Sequence, residues 1–168
     1  QATASLTEDQ LEPSGIIPIP VVQEIFTALN GDENVDGVLP GLRFPVPASD
    51  EQLTRTESRV MIVGLQQSAM TGFEDDIVTL TGASAPLTQL RSNETYLNES
   101  AAEALQLEPG ERINVFIGQV PRTLTVAGIV KDRYLTGWTR TEPKGLVMRL
   151  DTAQQLFGGL NPVTFVGI

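Results

Sequence analysis

The sequence contains no cysteine and no histidine among its 168 residues. These absences exclude disulfide bonds, zinc sites built on cysteine, and catalysis by Ser-His-Asp or Cys-His groups. They do not identify the compartment, because reducing and oxidising environments both accept a chain without cysteine. Catalysis by this chain would have to rest on other side chains, chiefly carboxylates.

Aromatic residues and long apolar runs are also scarce. Phe, Trp and Tyr together make up 5% of the chain, so a carboxylate-dependent hydrolase acting on sugars would lack an aromatic-rich platform. No apolar run reaches the roughly 18 residues that a membrane-spanning helix needs. Neither G-x-x-x-x-G-K-[ST] nor G-x-G-x-x-G occurs, so we expect no nucleotide binding by this chain.

The charge is strongly unbalanced, because 11 Lys and Arg stand against 21 Asp and Glu and give a net charge of −10. Such a chain repels nucleic acid and anionic lipid headgroups, so we expect no nucleic-acid partner. The length and the 40% hydrophobic content suit one domain, or two small lobes, with a substantial core.

Residues 93–158 contain an ordered succession of predicted elements. Ser100 and Glu103 have the spacing of a capping box, which predicts a short helix that ends at Pro109 and Gly110. Two strands, a polar interval, a third strand and a last helix follow. Ile113, Val115 and Ile117 alternate along the first strand. The second strand, from Leu124 to Val130, alternates less cleanly, and Leu124, Val126, Gly128 and Val130 would share one face.

Three short motifs occur in order along this region. They are L-x-x-G-(D/E)-x-(I/V) at 107–113, V-x-G-I-V at 126–130 and A-Q-x-L-F at 153–157. The last lies in a helix that Asp151 is predicted to begin and Gly158 to end. In this order the motifs resemble the extracytoplasmic core domain of MacB/FtsX-like permeases of ABC transporters, a resemblance that covers roughly residues 16–168.

The resemblance implies an α+β fold of two lobes. An α/β lobe near the membrane would comprise residues 1–66 and 143–168, and an inserted, mostly β lobe would comprise residues 67–142. The resemblance also implies a location on the extracytoplasmic face of the bacterial cell membrane. Because the chain begins at Gln1 without a signal peptide, we expect an excised soluble domain of an integral membrane protein.

The function implied by the resemblance is not enzymatic. The domain would relay ATP-driven conformational change to a substrate or partner protein, in efflux, lipoprotein release or signalling. Its partners would be a cytoplasmic ATPase reached through membrane helices outside this chain, a second permease subunit, and an extracytoplasmic protein or substrate. No cofactor is expected in this chain, because ATP would be bound by a separate ATPase subunit or domain.

Two functions from other classes remain open. The first is a freestanding extracellular module that binds a ligand or a protein, for which a deep apolar pocket would be evidence. The second is the carboxylate-dependent hydrolase. It requires two acidic side chains that face one cleft, and the pKa of one of them must be raised.

The N-terminal part has its own predicted elements. Val21, Val22, Ile25, Phe26 and Leu29 fall on one helical face, and Gly31 would end that helix. We predict a strand over 35–46 that Pro40 and Gly41 interrupt, a hairpin connection over 47–57, a buried strand over 59–65 and a short strand over 77–81.

Aromatic residues in polar loops are the candidate partner contacts. Tyr134, Trp138 and Phe73 have this setting, in which an aromatic side chain either anchors a partner or covers a small core. We favour the core role for Phe73.

Two acidic stretches imitate metal sites without fulfilling the requirements. The run from Asp32 to Gly37 begins like an EF-hand loop, but its twelfth position is Arg43 instead of glutamate. Glu74, Asp75 and Asp76 form an acidic cluster. Both stretches are predicted to be solvated loops, and we expect no metal.

Overall fold

The computed structural model describes residues 15–29, 32, 33, 35, 37–70, 77–158 and 162–167. In these ranges the chain forms three α-helices and seven β-strands, which confirms the α+β class. The helices are α1 (Ile19–Leu29), α2 (Glu99–Leu105) and α3 (Leu150–Leu156). The strands are β1 (Leu39–Asp50), β2 (Thr56–Leu65), β3 (Glu94–Asn98), β4 (Arg112–Ile117), β5 (Val120–Val130), β6 (Gly145–Arg149) and β7 (Phe165–Gly167).

The strands form one mixed sheet in the order β2-β6-β3-β5-β4-β1-β7. β1 also pairs with β2, so six strands are joined in a ring and β7 adds to β1 from outside the ring. One edge of β1 pairs with β2 over residues 41–49. The other edge pairs with β7 at residues 39–41 and with β4 at residues 48–50. The contact between β1 and β2 leaves β2 without a free edge, whereas the outer edge of β7 has no partner strand among the described residues.

The predicted division into two lobes is not confirmed. β3, β4 and β5 belong to the predicted inserted lobe, yet β3 pairs with β6 and β4 pairs with β1. One hydrophobic cluster contains buried residues from both parts, among them Leu65 and Leu97. Hydrogen bonds and packing therefore cross the predicted boundaries at 66/67 and 142/143.

The first strand is longer and more continuous than predicted. β1 runs through Pro40 and Gly41 without interruption, and both residues pair with β7. Gly41 also leaves room for the ring of Phe165, whose nearest atom would lie 2.3 Å from an added Cβ. The register shifts between Val46 and Ala48, at Pro47, which has no N–H to give to a strand ladder. The connection between β1 and β2 comprises residues 51–55 and is shorter than the predicted connection over 47–57.

The helix predicted near the N-terminus is confirmed as α1, but its apolar face is largely exposed. Val22 is the buried residue of α1, whereas Val21 and Phe26 are each 41% exposed. Gly31, the predicted end signal, lies outside the described residues. The strand predicted over 77–81 is reduced to isolated bridges at Val78 and Thr79.

The two predicted strands are confirmed as β4 and β5. Burial alternates along the whole of β4, whereas β5 begins with four exposed residues and then buries Leu124, Val126 and Val130. The last helix is also confirmed, although α3 begins at Leu150 with Arg149 as its N-cap and not with Asp151. Gly158 follows its C-cap with a φ of +81°, the left-handed conformation that glycine adopts at little cost.

Asn98 begins α2, so the capping box predicted at Ser100 is wrong. The side chain of Asn98 is fully buried, and its Oδ1 accepts hydrogen bonds from the backbone N–H groups of Ala101 at 3.0 Å and Gly145 at 2.9 Å. Its Nδ2 donates to the carbonyl oxygen of Pro143 at 2.7 Å. This one amide therefore joins the end of β3, the first turn of α2 and the start of β6.

Replacing Asn98 with alanine should destabilise the fold strongly. The variant Asn98→Ala loses a helix cap and leaves the buried N–H of Gly145 and the carbonyl oxygen of Pro143 without their partner, which together cost about 2–4 kcal/mol. Urea unfolding measures the change. Asn93→Ala, at an exposed turn position, is the matched control and should change the unfolding free energy by less than about 0.5 kcal/mol. Equal effects of the two substitutions would contradict this role of Asn98.

Asp50 organises the turn between β1 and β2. Its Oδ1 accepts hydrogen bonds from the backbone N–H groups of Thr54 at 2.7 Å and Arg55 at 3.2 Å, and its Oδ2 accepts one from the Thr54 hydroxyl. The hydrogen bond from the Thr54 hydroxyl is the largest cause that lowers the pKa of the Asp50 carboxyl. The ionised carboxylate therefore stabilises this turn.

We expect this stabilisation to disappear in acid. Because the pKa of Asp50 is lower in the folded chain, its contribution is fully present above the unfolded value of about 3.9 and is lost as pH falls through the folded pKa. The difference in unfolding free energy between wild type and Asp50→Asn should therefore shrink on going from about pH 7 to about pH 2.5. Glu24→Gln, on exposed α1, is the control. A difference that is independent of pH would exclude the proposed effect.

Candidate partner-contact surface

The 131–144 loop, which joins β5 to β6, has a charge opposite to that of the whole chain. It holds four of the 11 basic residues and two acidic residues, a net charge of +2 in a chain of net charge −10. The basic residues are Lys131, Arg133, Arg140 and Lys144, and the acidic residues are Asp132 and Glu142. The loop is therefore a local site of positive charge on an acidic protein.

Two of the predicted contact residues are exposed in this loop. Tyr134 is 59% exposed and Trp138, the single tryptophan of the chain, is 37% exposed. Between them Leu135 is buried and packs in the hydrophobic core. The loop thus presents two aromatic side chains to solvent while an aliphatic side chain holds it to the body of the domain.

Thr136 holds the loop in one conformation. It is fully buried, and its hydroxyl accepts a hydrogen bond from the N–H of Arg133 at 2.9 Å while lying 2.9 Å from the carbonyl oxygen of Lys131. The N–H of Trp138 donates to the carbonyl oxygen of Arg133 at 3.0 Å. These bonds keep the backbone beneath both aromatic side chains ordered.

Polar contacts also join the loop to neighbouring elements. Each links one loop residue to a residue of β2 or to the start of α2, so the loop is fixed at both of its ends. The contacts are Asp132 with the N–H and hydroxyl of Ser100 at 3.0 and 2.6 Å, Glu142 with Arg59 at 2.6 Å, and Lys144 with Glu57 at 2.7 Å.

Gly145 permits the loop to lie directly on β6. A Cβ atom at this position would lie 2.1 Å from the carbonyl oxygen of Thr136 and 2.8 Å from the Cα of Gly137. Because backbone atoms cannot yield as a side chain does, any residue larger than glycine would push the loop away. The close approach therefore depends on glycine here.

Arg43 lies beside this surface, although it is distant in sequence. Its Cζ atom lies 4.3 Å from the centroid of the Tyr134 ring, a cation–π arrangement. Its Nε and Nη2 atoms are buried and have no hydrogen-bond partner within the described part of the chain. Sequence reasoning considered Arg43 only as a misfit in an EF-hand loop and missed this contact, because no local pattern joins β1 to the 131–144 loop.

The other sites predicted from the sequence lie wholly or partly outside the described residues. Phe73, the third candidate contact, and the cluster Glu74, Asp75 and Asp76 lie outside the described residues. In the EF-hand-like run, Asn34 and Asp36 lie outside them as well. In the part of the chain that is described, no group of three or more acidic side chains is placed to hold a metal ion.

No family model and no curated protein matches the chain, but solved structures do. The extracellular domain of the noncanonic ABC-type transporter YknZ from Gram-positive bacteria is 15% identical, with a TM-score of 0.59, and the match covers 86% of this chain and 70% of that domain. The periplasmic region of MacB from Actinobacillus actinomycetemcomitans is 14% identical, with a TM-score of 0.56, over 86% of this chain and 62% of that region.

A third solved structure is a domain assigned to a permease from Porphyromonas gingivalis. It is 12% identical, with a TM-score of 0.52, and the match covers 83% of this chain and 63% of that domain. The chain thus spans less than two thirds of the length of two of the three structures. No helix within the described ranges is long and apolar enough to cross a membrane. The chain has the fold of the extracytoplasmic domains of ABC-type transporter permeases.

Proposed function

We propose that the chain is a non-catalytic extracytoplasmic domain of an ABC transporter permease that relays ATP-driven movement to a substrate or partner protein. The observation that carries this proposal is the fold shared with the domains of YknZ and MacB. The domain would lie on the extracytoplasmic face of a bacterial cell membrane. Its permease would pair with a second permease subunit and with a cytoplasmic ATPase that binds the ATP.

The mechanical requirement of a relay is a body stiff enough to move as a unit. The ring of six strands meets this requirement, because every strand of the ring is hydrogen-bonded to neighbours on both sides. A displacement applied near one part of such a ring is passed on as a rigid-body movement and is not absorbed locally. The proposal therefore assigns the motion to the whole domain, and its hinges to segments outside the ring.

The 131–144 loop is the surface that we propose contacts the partner. Tyr134 and Trp138 belong to the residue types that most often dominate binding energy at protein interfaces. The hydrogen bonds of Thr136 and the close packing on Gly145 hold the loop in place before binding, so little conformational entropy is lost on contact. Phe73, for which the sequence favours a core role, remains only the third candidate contact.

The charge of the loop favours a partner with an acidic surface. The basic residues Arg133 and Arg140 flank the two exposed aromatic side chains, while the chain as a whole is strongly acidic. Complementary charge accelerates encounter and orients the two surfaces. The proposed contact should accordingly weaken as ionic strength rises.

One observation favours a second role as a ligand-binding module. An apolar cavity of about 510 Å³ lies beside β1 and β7, a size that suits a small molecule. Binding a ligand there is compatible with a place in a transporter.

The relay predicts that the domain occupies different positions in different nucleotide states of the intact transporter. This domain has no cysteine. In a transporter whose other cysteines have been replaced, Leu80→Cys, at a position 45% exposed, would carry one spin label in each of the two permease subunits. The distance between the labels should change by several ångströms between the nucleotide-free and ATP-trapped states. A transporter whose ATPase cannot bind ATP is the control. Identical distance distributions in both states would contradict the relay.

The contact surface predicts a loss of output without a loss of folding. In the intact transporter, the double variant Tyr134→Ala, Trp138→Ala should retain ATP hydrolysis while transport or signalling falls, because loss of interface hot spots costs about 2 kcal/mol or more each. The matched control is Leu80→Ala, Val120→Ala, at positions 45% and 42% exposed elsewhere on the domain. If both double variants have wild-type output, the 131–144 loop is not the contact surface.

A further inference from the structure

The apolar cavity beside β1 is bordered mainly by aromatic and aliphatic side chains. It has a volume of about 510 Å³ and lies where β1, β2, β7 and the residue after α3 meet. Among its lining residues are Leu42, Phe44, Pro45, Met61, Phe157 and Phe165. The rings of Phe44 and Phe157 meet edge to face at 5.0 Å, which fixes one wall. The cavity therefore suits a flexible hydrocarbon chain.

Arg43 is the only charged residue among the described residues that line this cavity. Its Nε and Nη2 atoms, which are buried, have no hydrogen-bond partner in the described part of the chain. The N–H bonds of these two atoms point to the same side of the guanidinium and form the fork that binds a carboxylate through two parallel hydrogen bonds. A buried donor without a partner is costly, so an acceptor supplied by a ligand would satisfy an existing requirement of the fold.

The backbone around Arg43 is already fixed by other groups. The hydroxyl of Thr164 accepts a hydrogen bond from the N–H of Arg43 at 2.6 Å and lies 3.1 Å from its carbonyl oxygen. The ring of Tyr134 covers one face of the guanidinium. The Nε and Nη2 donors, which lie in the plane of the guanidinium, remain without an acceptor in the described part of the chain. A planar anion with two oxygen atoms could accept a hydrogen bond from each of them.

We propose that this cavity binds a single-chain apolar carboxylate, such as a medium-chain fatty acid. The carboxylate pairs with the Nε and Nη2 atoms of Arg43, and the hydrocarbon chain lies against Phe44, Phe157 and Phe165. A singly charged head group matches the one guanidinium, whereas a doubly charged phosphate would bring an uncompensated charge into an apolar site. This inference does not rest on the proposed transporter function.

Entry of the head group requires a local movement, since the two donor atoms are covered. Tyr134 is the group that can provide it, because its ring lies on the guanidinium and is 59% exposed at the surface. A shift of this ring leaves the buried side chains of the core in place. Binding should therefore also change the surroundings of Trp138, which lies in the same loop.

The test is a titration of the whole domain with decanoate below its micelle concentration, followed by the fluorescence of Trp138 and by calorimetry. We expect saturable binding at one site, and Arg43→Gln should weaken the affinity about tenfold or more, because it removes a charge-assisted bidentate contact. Arg122→Gln, at an exposed position on β5, removes the same charge away from the cavity and should leave the affinity unchanged.

Two further arms separate the proposed contact from general hydrophobic binding. Decanol has the same chain without the charge. It should bind to wild type at least about tenfold more weakly than decanoate does. Its affinity should be the same for wild type and for Arg43→Gln. Arg43→Lys, which keeps the charge without the fork, should bind decanoate with intermediate affinity. Equal affinity of decanoate for wild type and Arg43→Gln, or no saturable binding to the folded wild-type domain, would overturn the proposal.

Discussion

β1 pairs with three other strands, and the closed form of the sheet depends on this pairing. With 12 residues it is long enough to hold β2 along one edge while β7 and β4 share the other. Without the contact between β1 and β2 the sheet would be open, with two free edges. The ring places elements far apart in sequence around one core, and strands within residues 67–142 are hydrogen-bonded to strands outside that range.

The proposed functional surface derives its order from this same ring. Asn98 ties the end of β3 to the residues that begin β6, and Gly145 brings the 131–144 loop onto that strand. The exposed Tyr134 and Trp138 are therefore mounted on a fixed backbone, with Arg43 of β1 beneath the tyrosine ring. The proposed partner surface and the proposed ligand site beside Arg43 therefore meet at Tyr134. If both proposals hold, binding of a ligand in the cavity would alter the loop.

Short sequence patterns correctly predicted the helices and strands that depend mainly on residues close together in the chain. Alternation in β4 and β5 was correctly interpreted because one face of each strand is buried, and the motif A-Q-x-L-F lies in and just after α3. The errors have non-local causes. The hydroxyl of Ser100 is engaged by Asp132, which leaves the cap to Asn98. Exposed aromatic residues in a polar loop indicated Tyr134 and Trp138, but ring closure and the approach of Arg43 depend on contacts that no short window of sequence contains.

The sequence of the gene on both sides of this region will decide whether the chain is the extracytoplasmic part of a permease, as we propose. We expect a membrane-spanning segment before residue 1 and further spans after residue 168, with an ATPase encoded in the same gene or beside it. A signal peptide followed directly by this domain and a stop codon would rule out a permease. The fold would then belong to a freestanding binding module, and the cavity beside Arg43 would become its principal site.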